Sequence, residues 1–216
     1  MAPAADGSGN EVMLLIPFGL HWSQVTASSL LGLDKDNKVV EGSGMPESTA
    51  SSIHHGLHQV CGEGATCVMH AHPPYSTSLG CLKDPTLQMC HQNSARFHDR
   101  IAYDLGYTGI ADETSEGRRL GGVLGNKVAL MMGNHGVITV GKCVAHAFDE
   151  LYYLERAAMF QVLAMSTGKQ LSLMEDSALE KNKKMWKSAS FLDSCALPHF
   201  NAWKSKLKKE SPDFLD

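Results

Sequence analysis

A pattern of apolar residues three or four positions apart runs from residue 142 to residue 168 and predicts the longest helix of this chain. Two short apolar runs, 128–132 and 137–140, precede it and are joined by Asn134-His135-Gly136. So short a connection between two strands requires a tight turn. We therefore predict a β-hairpin followed by a long helix, with Gly136 supplying a positive φ angle and His135 bonding a neighbouring backbone group.

Weaker patterns predict the remaining elements. An initial antiparallel sheet is expected from the run 12–16 and from a hairpin whose turn occupies residues 34–37. A helix capped by Ser48 or Thr49 should end at Cys61, before a strand that carries His70. The other predicted elements are a short helix over 74–79, a strand over 97–103, a helix that opens at Thr114, and one or two peripheral helices beyond Gly168.

Composition restricts the class of protein. The 216 residues, 43% of them apolar, fit one compact domain, with a disordered segment over 1–11, a core region over 12–168 and peripheral helices over 169–216. The net charge of -4 does not indicate the basic surface that binding to nucleic acid requires. No apolar run in the sequence is long enough for a membrane span. Six cysteines without a C-x-x-C pair indicate reduced thiols, so we expect a cytoplasmic location.

His70-Ala71-His72 closes the predicted strand just before Pro73-Pro74. Side chains two residues apart on a strand point to the same face, so the two imidazoles can meet one cation. Neutral imidazole binds zinc, iron, nickel and cobalt. The pair therefore indicates half of a metal site, with a structural hydrogen-bonding pair as the alternative, and a third ligand decides between them.

Five motifs in order resemble one family. They are Leu14-Leu15-Ile16-Pro17-Phe18-Gly19, Val25-Thr26-Ala27-Ser28-Ser29-Leu30, His70-Ala71-His72, Asn134-His135-Gly136 and Leu151-Tyr152-Tyr153-Leu154-Glu155-Arg156-Ala157. Together they resemble the class II aldolase/adducin head domain, in its adducin-like branch. The resemblance implies an α/β fold, a three-layer α/β/α class II aldolase-like domain around a central, mostly antiparallel sheet.

The resemblance also implies a metal site. Family aldolases hold a divalent metal, usually zinc, with the two histidines of the H-x-H motif and a third histidine from the long helix. His70 and His72 match the first two, and Tyr152 stands where the third is expected. Phenol is a poor substitute for imidazole because it must lose a proton with a pKa near 10 to bind well. Asp149, three residues earlier on nearly the same helix face, is the other candidate third ligand.

The catalytic base and the substrate contacts depart from the family pattern. The positions that match the family base hold Ala50 or Ser51, so Glu47 is the nearest candidate acid. Gly19 is a candidate substrate contact, but Phe18 occupies the place of a hydroxyl residue of the aldolases. Only eleven residues precede the first strand, where the family has about forty with a phosphate-binding loop. A sugar phosphate would lose several contacts here.

Two functions follow from the resemblance. The first is a non-enzymatic, oligomerising adducin-head-like domain, a homotetramer by family resemblance, that acts in cytoskeletal or actin-associated assembly with a protein partner. The alternative is a zinc-dependent class II aldolase or epimerase that acts on a small sugar phosphate through an enediolate. In the first case the site at His70 and His72 is weak or vestigial, and in the second it is the centre of catalysis.

Overall fold

The computed structural model describes residues 1–3, 10–106 and 114–216. They form two compact units, each with a four-stranded sheet. The first unit contains Met1–Gly62, Gly109–Gly121 and Asn201–Asp216, and the second contains Glu63–Thr108 and Gly122–Phe200. The α/β class is confirmed. The predicted boundaries at residues 12 and 168 do not coincide with these units and stay a prediction of domain organisation.

The sheet of the first unit is antiparallel, in the order β1-β2-β3-β4. Its strands are β1 (Ala2–Pro3), β2 (Glu11–Leu15), β3 (Leu31–Leu33) and β4 (Val39–Glu41). The expected disorder over 1–11 is wrong at both ends, because Ala2 pairs with Val12 and Pro3 with Glu11. Backbone pairing along a strand edge needs no periodic side chains. Residues 4–9 of that prediction lie outside the described residues.

Helix α1 (Ser48–Cys61) crosses α4 (Thr114–Leu124) in the first unit at two glycines. A Cβ added to Gly56 would lie 2.5 Å from the backbone of Gly117, so only glycine allows this approach. The cap of α1 differs from the prediction. Glu47, and not Ser48 or Thr49, is the N-cap residue, and its Oε2 accepts a hydrogen bond of 2.5 Å from the backbone N–H of Ala50.

The sheet of the second unit is mostly antiparallel, as the resemblance implies, in the order β5-β8-β7-β6. Its strands are β5 (Cys67–Ala71), β6 (Ile101–Asp104), β7 (Ala129–Met132) and β8 (Val137–Gly141). Only the β6–β7 pair is parallel. All residues of β7 and β8 are buried, which accounts for their largely apolar sequences. The exception, Thr139, donates its hydroxyl to the Ala147 carbonyl.

Besides the last residues of α4, five α-helices of the described residues lie wholly or in part in the second unit. They are α2 (Pro74–Gly80), α3 (Gln92–Ala95), α5 (Val144–Met165), α6 (Asp176–Trp186) and α7 (Ala189–Glu210). The predicted long helix is confirmed as α5, whose Leu154 and Ala158 pack in one core cluster with Met131 and Val137 of the sheet. One or two helices are predicted beyond residue 168, and the structure has two, α6 and α7; their peripheral place in the domain stays a prediction.

The predicted strand over 97–103 begins later, at Ile101. Phe97 lies in a turn segment instead, where its N–H donates to the Ser94 carbonyl and its own carbonyl accepts from Arg100. It is fully buried all the same. An apolar residue can enter the core from a turn, so the apolar character of Phe97 alone does not identify a strand. None of the helices in the described residues has the length and apolar character of a membrane crossing.

Candidate metal centre

The two histidine motifs meet because β5 pairs with β8. In this antiparallel ladder His70 lies opposite Ile138, and Ala71 lies opposite Val137. Strand β8 begins directly after the 134–136 turn, so the carboxyl end of β5 reaches the turn that carries His135. The pairing thus brings together two sequence motifs that are more than sixty residues apart.

Three imidazole rings form the centre of the site. The ring centroids of His70, His72 and His135 are separated by 4.9, 4.9 and 5.0 Å. One ligand nitrogen from each ring lies within 4.8 Å of the others, and the Nε2 atoms of His70 and His72 are 3.1 Å apart. His70 and His135 are half-buried, and His72 is exposed. This group, drawn from the described residues, contains no carboxylate or thiolate.

The protonation state of His70 suits a ligand. Its Nδ1 lies 3.0 Å from the Val137 carbonyl, which can only accept, so Nδ1 carries the proton and donates it. The lone pair is then on Nε2, the atom that faces His72. Burial lowers the pKa of His70 to about 4, with further lowering from the charges of His135 and His72. His70 is therefore neutral near pH 7.

The turn before β8 is present as predicted, but its backbone strain lies elsewhere. Asn134, not Gly136, has the positive φ angle, at 56°. Asparagine tolerates this left-handed conformation better than most residues. Gly136 is required for space, since a Cβ there would lie 2.4 Å from Cδ2 of His72 and 2.6 Å from the Ala71 carbonyl oxygen. The His72 ring therefore lies directly against the backbone of the turn.

Gly136→Ala is expected to lower the free energy of unfolding by about 1–3 kcal/mol, because the added methyl group overpacks the turn. Any affinity of the three histidines for zinc should fall with it, since the His72 ring and the Ala71 carbonyl are the groups that must move. Urea unfolding and zinc titration measure the two effects. The matched control is Gly122→Ala, whose Cβ meets nothing within 4 Å. Equal zinc affinity in the wild type and Gly136→Ala would contradict the packing argument.

Asp149 stands outside the three-histidine group and has other partners. Its Oδ2 lies 2.6 Å from Nη2 of Arg96, and its Oδ1 lies 2.6 Å from Nδ1 of His199. The carboxylate is fully buried and compensates the buried Arg96 guanidinium. Both oxygens are engaged in this ion network, and a third imidazole comes from His135. The place of Asp149 as third ligand stays a prediction.

The other candidate third ligand, Tyr152, also lies on α5 and belongs to an aromatic group formed by residues of α5 and α7. Its hydroxyl accepts a hydrogen bond of 3.3 Å from Arg156, and its ring contacts Phe148 and His199. This position thus serves packing between α5 and α7.

Glu47 and Gly19 lie in the first unit. The Glu47 carboxylate caps α1, as described above. Gly19 has a φ angle of 88°, and a Cβ there would meet nothing within 4 Å. Its glycine is therefore explained by backbone conformation and not by a close contact. The roles of both residues as base and substrate contact stay predictions.

The donor set fits a divalent cation. Two imidazole nitrogens bound to one zinc ion at near-tetrahedral angles are separated by about 3.3 Å, close to the 3.1 Å between His70 and His72. From the sequence alone, His135 is a turn residue and the third ligand is expected on the long helix. Knowledge of the β5–β8 pairing would have identified His135, but no local pattern signals a pairing between such distant segments.

Comparison with known proteins adds independent information. Residues 4–162 match the family model described as Class II Aldolase and Adducin N-terminal domain. A Caulobacter vibrioides protein whose name assigns it to aldolase class 2 is 30% identical over 205 residues. The match covers 94% of this chain and 78% of that protein. Human beta-adducin is 30% identical over 157 residues, 71% of this chain and 21% of beta-adducin. The crystal structure of an aldolase II superfamily protein from Pseudomonas syringae has a TM-score of 0.85 at 30% identity and covers 96% of this chain and 82% of its own.

Proposed function

This chain belongs to the class II aldolase and adducin family, which confirms the resemblance in its motifs, and we propose that it binds a divalent metal ion through His70, His72 and His135. The meeting of the three imidazole rings carries this proposal. Imidazole is a ligand of zinc and of several other divalent metals. Zinc is therefore the first ion to test.

A zinc ion with three protein ligands keeps a position for a further ligand and polarises a carbonyl or hydroxyl oxygen there. The residues of this chain supply neutral nitrogens, and the Val137 carbonyl holds one of them in the correct tautomer. Three uncharged ligands leave the charge of a divalent ion uncompensated. The site therefore favours an anionic or strongly polar oxygen ligand.

We propose on this basis a metal-dependent lyase or epimerase that acts on a small sugar phosphate with neighbouring carbonyl and hydroxyl groups. His70, His72 and His135 would hold the metal, and the metal would polarise the carbonyl group of the substrate. Proton removal beside a carbonyl requires a general base. Glu47, the acid that the sequence offers for this role, caps α1 in the first unit, so its part in proton transfer stays a prediction.

Metal-free protein titrated with zinc in a calorimeter is expected to bind one ion per chain, and a His70→Ala/His72→Ala double variant is expected to bind none tightly. A chelator should abolish any retro-aldol turnover of fuculose 1-phosphate or rhamnulose 1-phosphate, and added zinc should restore it. A wild-type chain that binds no zinc would contradict the metal site. Zinc binding without turnover of either sugar phosphate would contradict the lyase and leave the metal site standing.

A second candidate is a non-enzymatic, adducin-head-like domain that self-associates in the cytoplasm and joins a cytoskeletal assembly. The observation that favours it is the pair Ala50 and Ser51, which stand in place of a carboxylate base. It predicts a homotetramer by light scattering and cosedimentation with actin filaments, both without added substrate. A monomer that stays in the supernatant would contradict it.

A further inference from the structure

Glu155 of α5 binds the first turn of α2 with both of its carboxylate oxygens. Oε1 accepts a hydrogen bond of 2.9 Å from the Tyr75 backbone N–H. Oε2 accepts bonds of 2.8 Å from the backbone N–H and the hydroxyl of Ser76. Ser76 is fully buried, so these donors depend on a protein partner. Glu155 thereby satisfies two of the backbone N–H groups that a helix N-terminus leaves unpaired.

The segment that Glu155 holds follows His72 directly. Only Pro73 and Pro74 separate His72 from Tyr75, and each proline ring restricts its own φ angle. Little backbone freedom therefore remains between His72 and the first turn of α2. A shift of that turn is transmitted to His72 instead of being absorbed by a flexible link.

On its other side, His72 follows the last pair of a strand ladder. Ala71 pairs with Val137 and ends β5, so His72 is the first residue beyond the sheet. Its backbone is thus fixed by the ladder before it and by the Glu155 contact after it. Its side chain is exposed, and its ring lies against Gly136 of the turn.

We infer that Glu155 is a positioning residue for the metal centre: through Tyr75 and Ser76 it holds the backbone of His72 where this imidazole meets those of His70 and His135. The inference rests on the proposed metal-binding function. Glu155 is not a member of the three-histidine group and contacts Tyr75 and Ser76 instead. Loss of an outer partner of a metal ligand typically weakens metal affinity 10-fold to 100-fold, and we expect about 10-fold for Glu155→Ala because its effect passes through the backbone.

The matched control lies on the same helix. Gln161 also binds a distant loop, since it accepts from the Gln88 N–H at 2.7 Å and donates to the Thr86 carbonyl at 3.0 Å. That loop does not adjoin a histidine of the site. Gln161→Ala therefore removes an equivalent clamp, and with it stability, without acting on His72.

The experiment measures zinc affinity of the full chain by competition with a chromophoric chelator, alongside urea unfolding of the metal-free protein. Glu155→Ala is expected to bind zinc about 10-fold more weakly, whereas Gln161→Ala keeps the wild-type affinity even where it is less stable. Glu155→Gln, which keeps the side-chain volume, carries the test if Glu155→Ala does not fold. The imidazole NMR signals of His72 should shift in metal-free Glu155→Gln. The same His72 signals should stay unchanged in metal-free Gln161→Ala.

Wild-type affinity in a folded Glu155 variant overturns the inference and leaves the metal site intact. An equal loss in Gln161→Ala also overturns it, because the effect would then follow stability alone. A wild-type chain without zinc affinity overturns the proposed function itself, and the inference with it.

Discussion

His135→Ala is expected to weaken zinc binding by more than roughly 100-fold, because loss of a direct ligand should exceed the 10-fold to 100-fold cost of losing an outer partner. His135 contributes one of the three rings and is held in place by the short turn before β8. Calorimetric titration of the metal-free variant with zinc measures the change. The turn itself should persist, since its positive φ angle belongs to Asn134 and its close packing to Gly136.

The control for this experiment is His146→Ala. His146 is a half-buried histidine of the same unit whose Nε2 lies 2.8 Å from Asp193, outside the three-histidine group. Its removal should leave zinc affinity unchanged. If His135→Ala binds zinc as the wild type does, the third ligand is another residue, and the helix position at Tyr152 or the Asp149 carboxylate becomes the candidate again.

Glu150→Ala is expected to lower the free energy of unfolding by about 3–5 kcal/mol, the range found when one partner of a buried ion pair is removed. Glu150 is 2% exposed and binds two guanidinium groups, Arg96 at 2.8 Å and Arg100 at 2.7 Å. The guanidinium carbon of Arg96 also lies 4.1 Å from the ring centroid of Trp186, the last residue of α6. Without Glu150, the buried Arg100 loses this ion pair, and Arg96 keeps only its pair with Asp149.

Urea unfolding tests this stability prediction, with Glu116→Ala as the comparison. Glu116 pairs with Arg119 one turn away on α4, where both side chains are partly exposed to water. Such surface pairs contribute less than about 1 kcal/mol. A loss below that value for Glu150→Ala as well would show that the buried network does not stabilise the second unit.

The local part of the fold could be predicted from the sequence, because it depends on short-range patterns. The apolar spacing of α5 and the two buried runs around Asn134 were sufficient to place a hairpin and a long helix. The alternation of side chains on a strand also placed His70 and His72 on one face. These features follow from neighbours in the chain and need no tertiary information.

The rest of the site could not be predicted, because it depends on contacts between distant segments. The β5–β8 pairing that brings His135 to His70 has no local signal. Gly136 was expected to provide a positive φ angle, but its small size is required by the ring of His72. Asp149 shares a helix face with Tyr152, yet a buried arginine from a much earlier segment, Arg96, takes its carboxylate.

The most direct test of the three-histidine metal site is anomalous diffraction at the zinc absorption edge from crystals of the zinc-loaded chain. We expect one strong peak, from a zinc ion bound by Nε2 of His70, by His72 and by a ring nitrogen of His135. A stoichiometric zinc ion bound by Asp149 or Tyr152, or no zinc among the three rings, would contradict it.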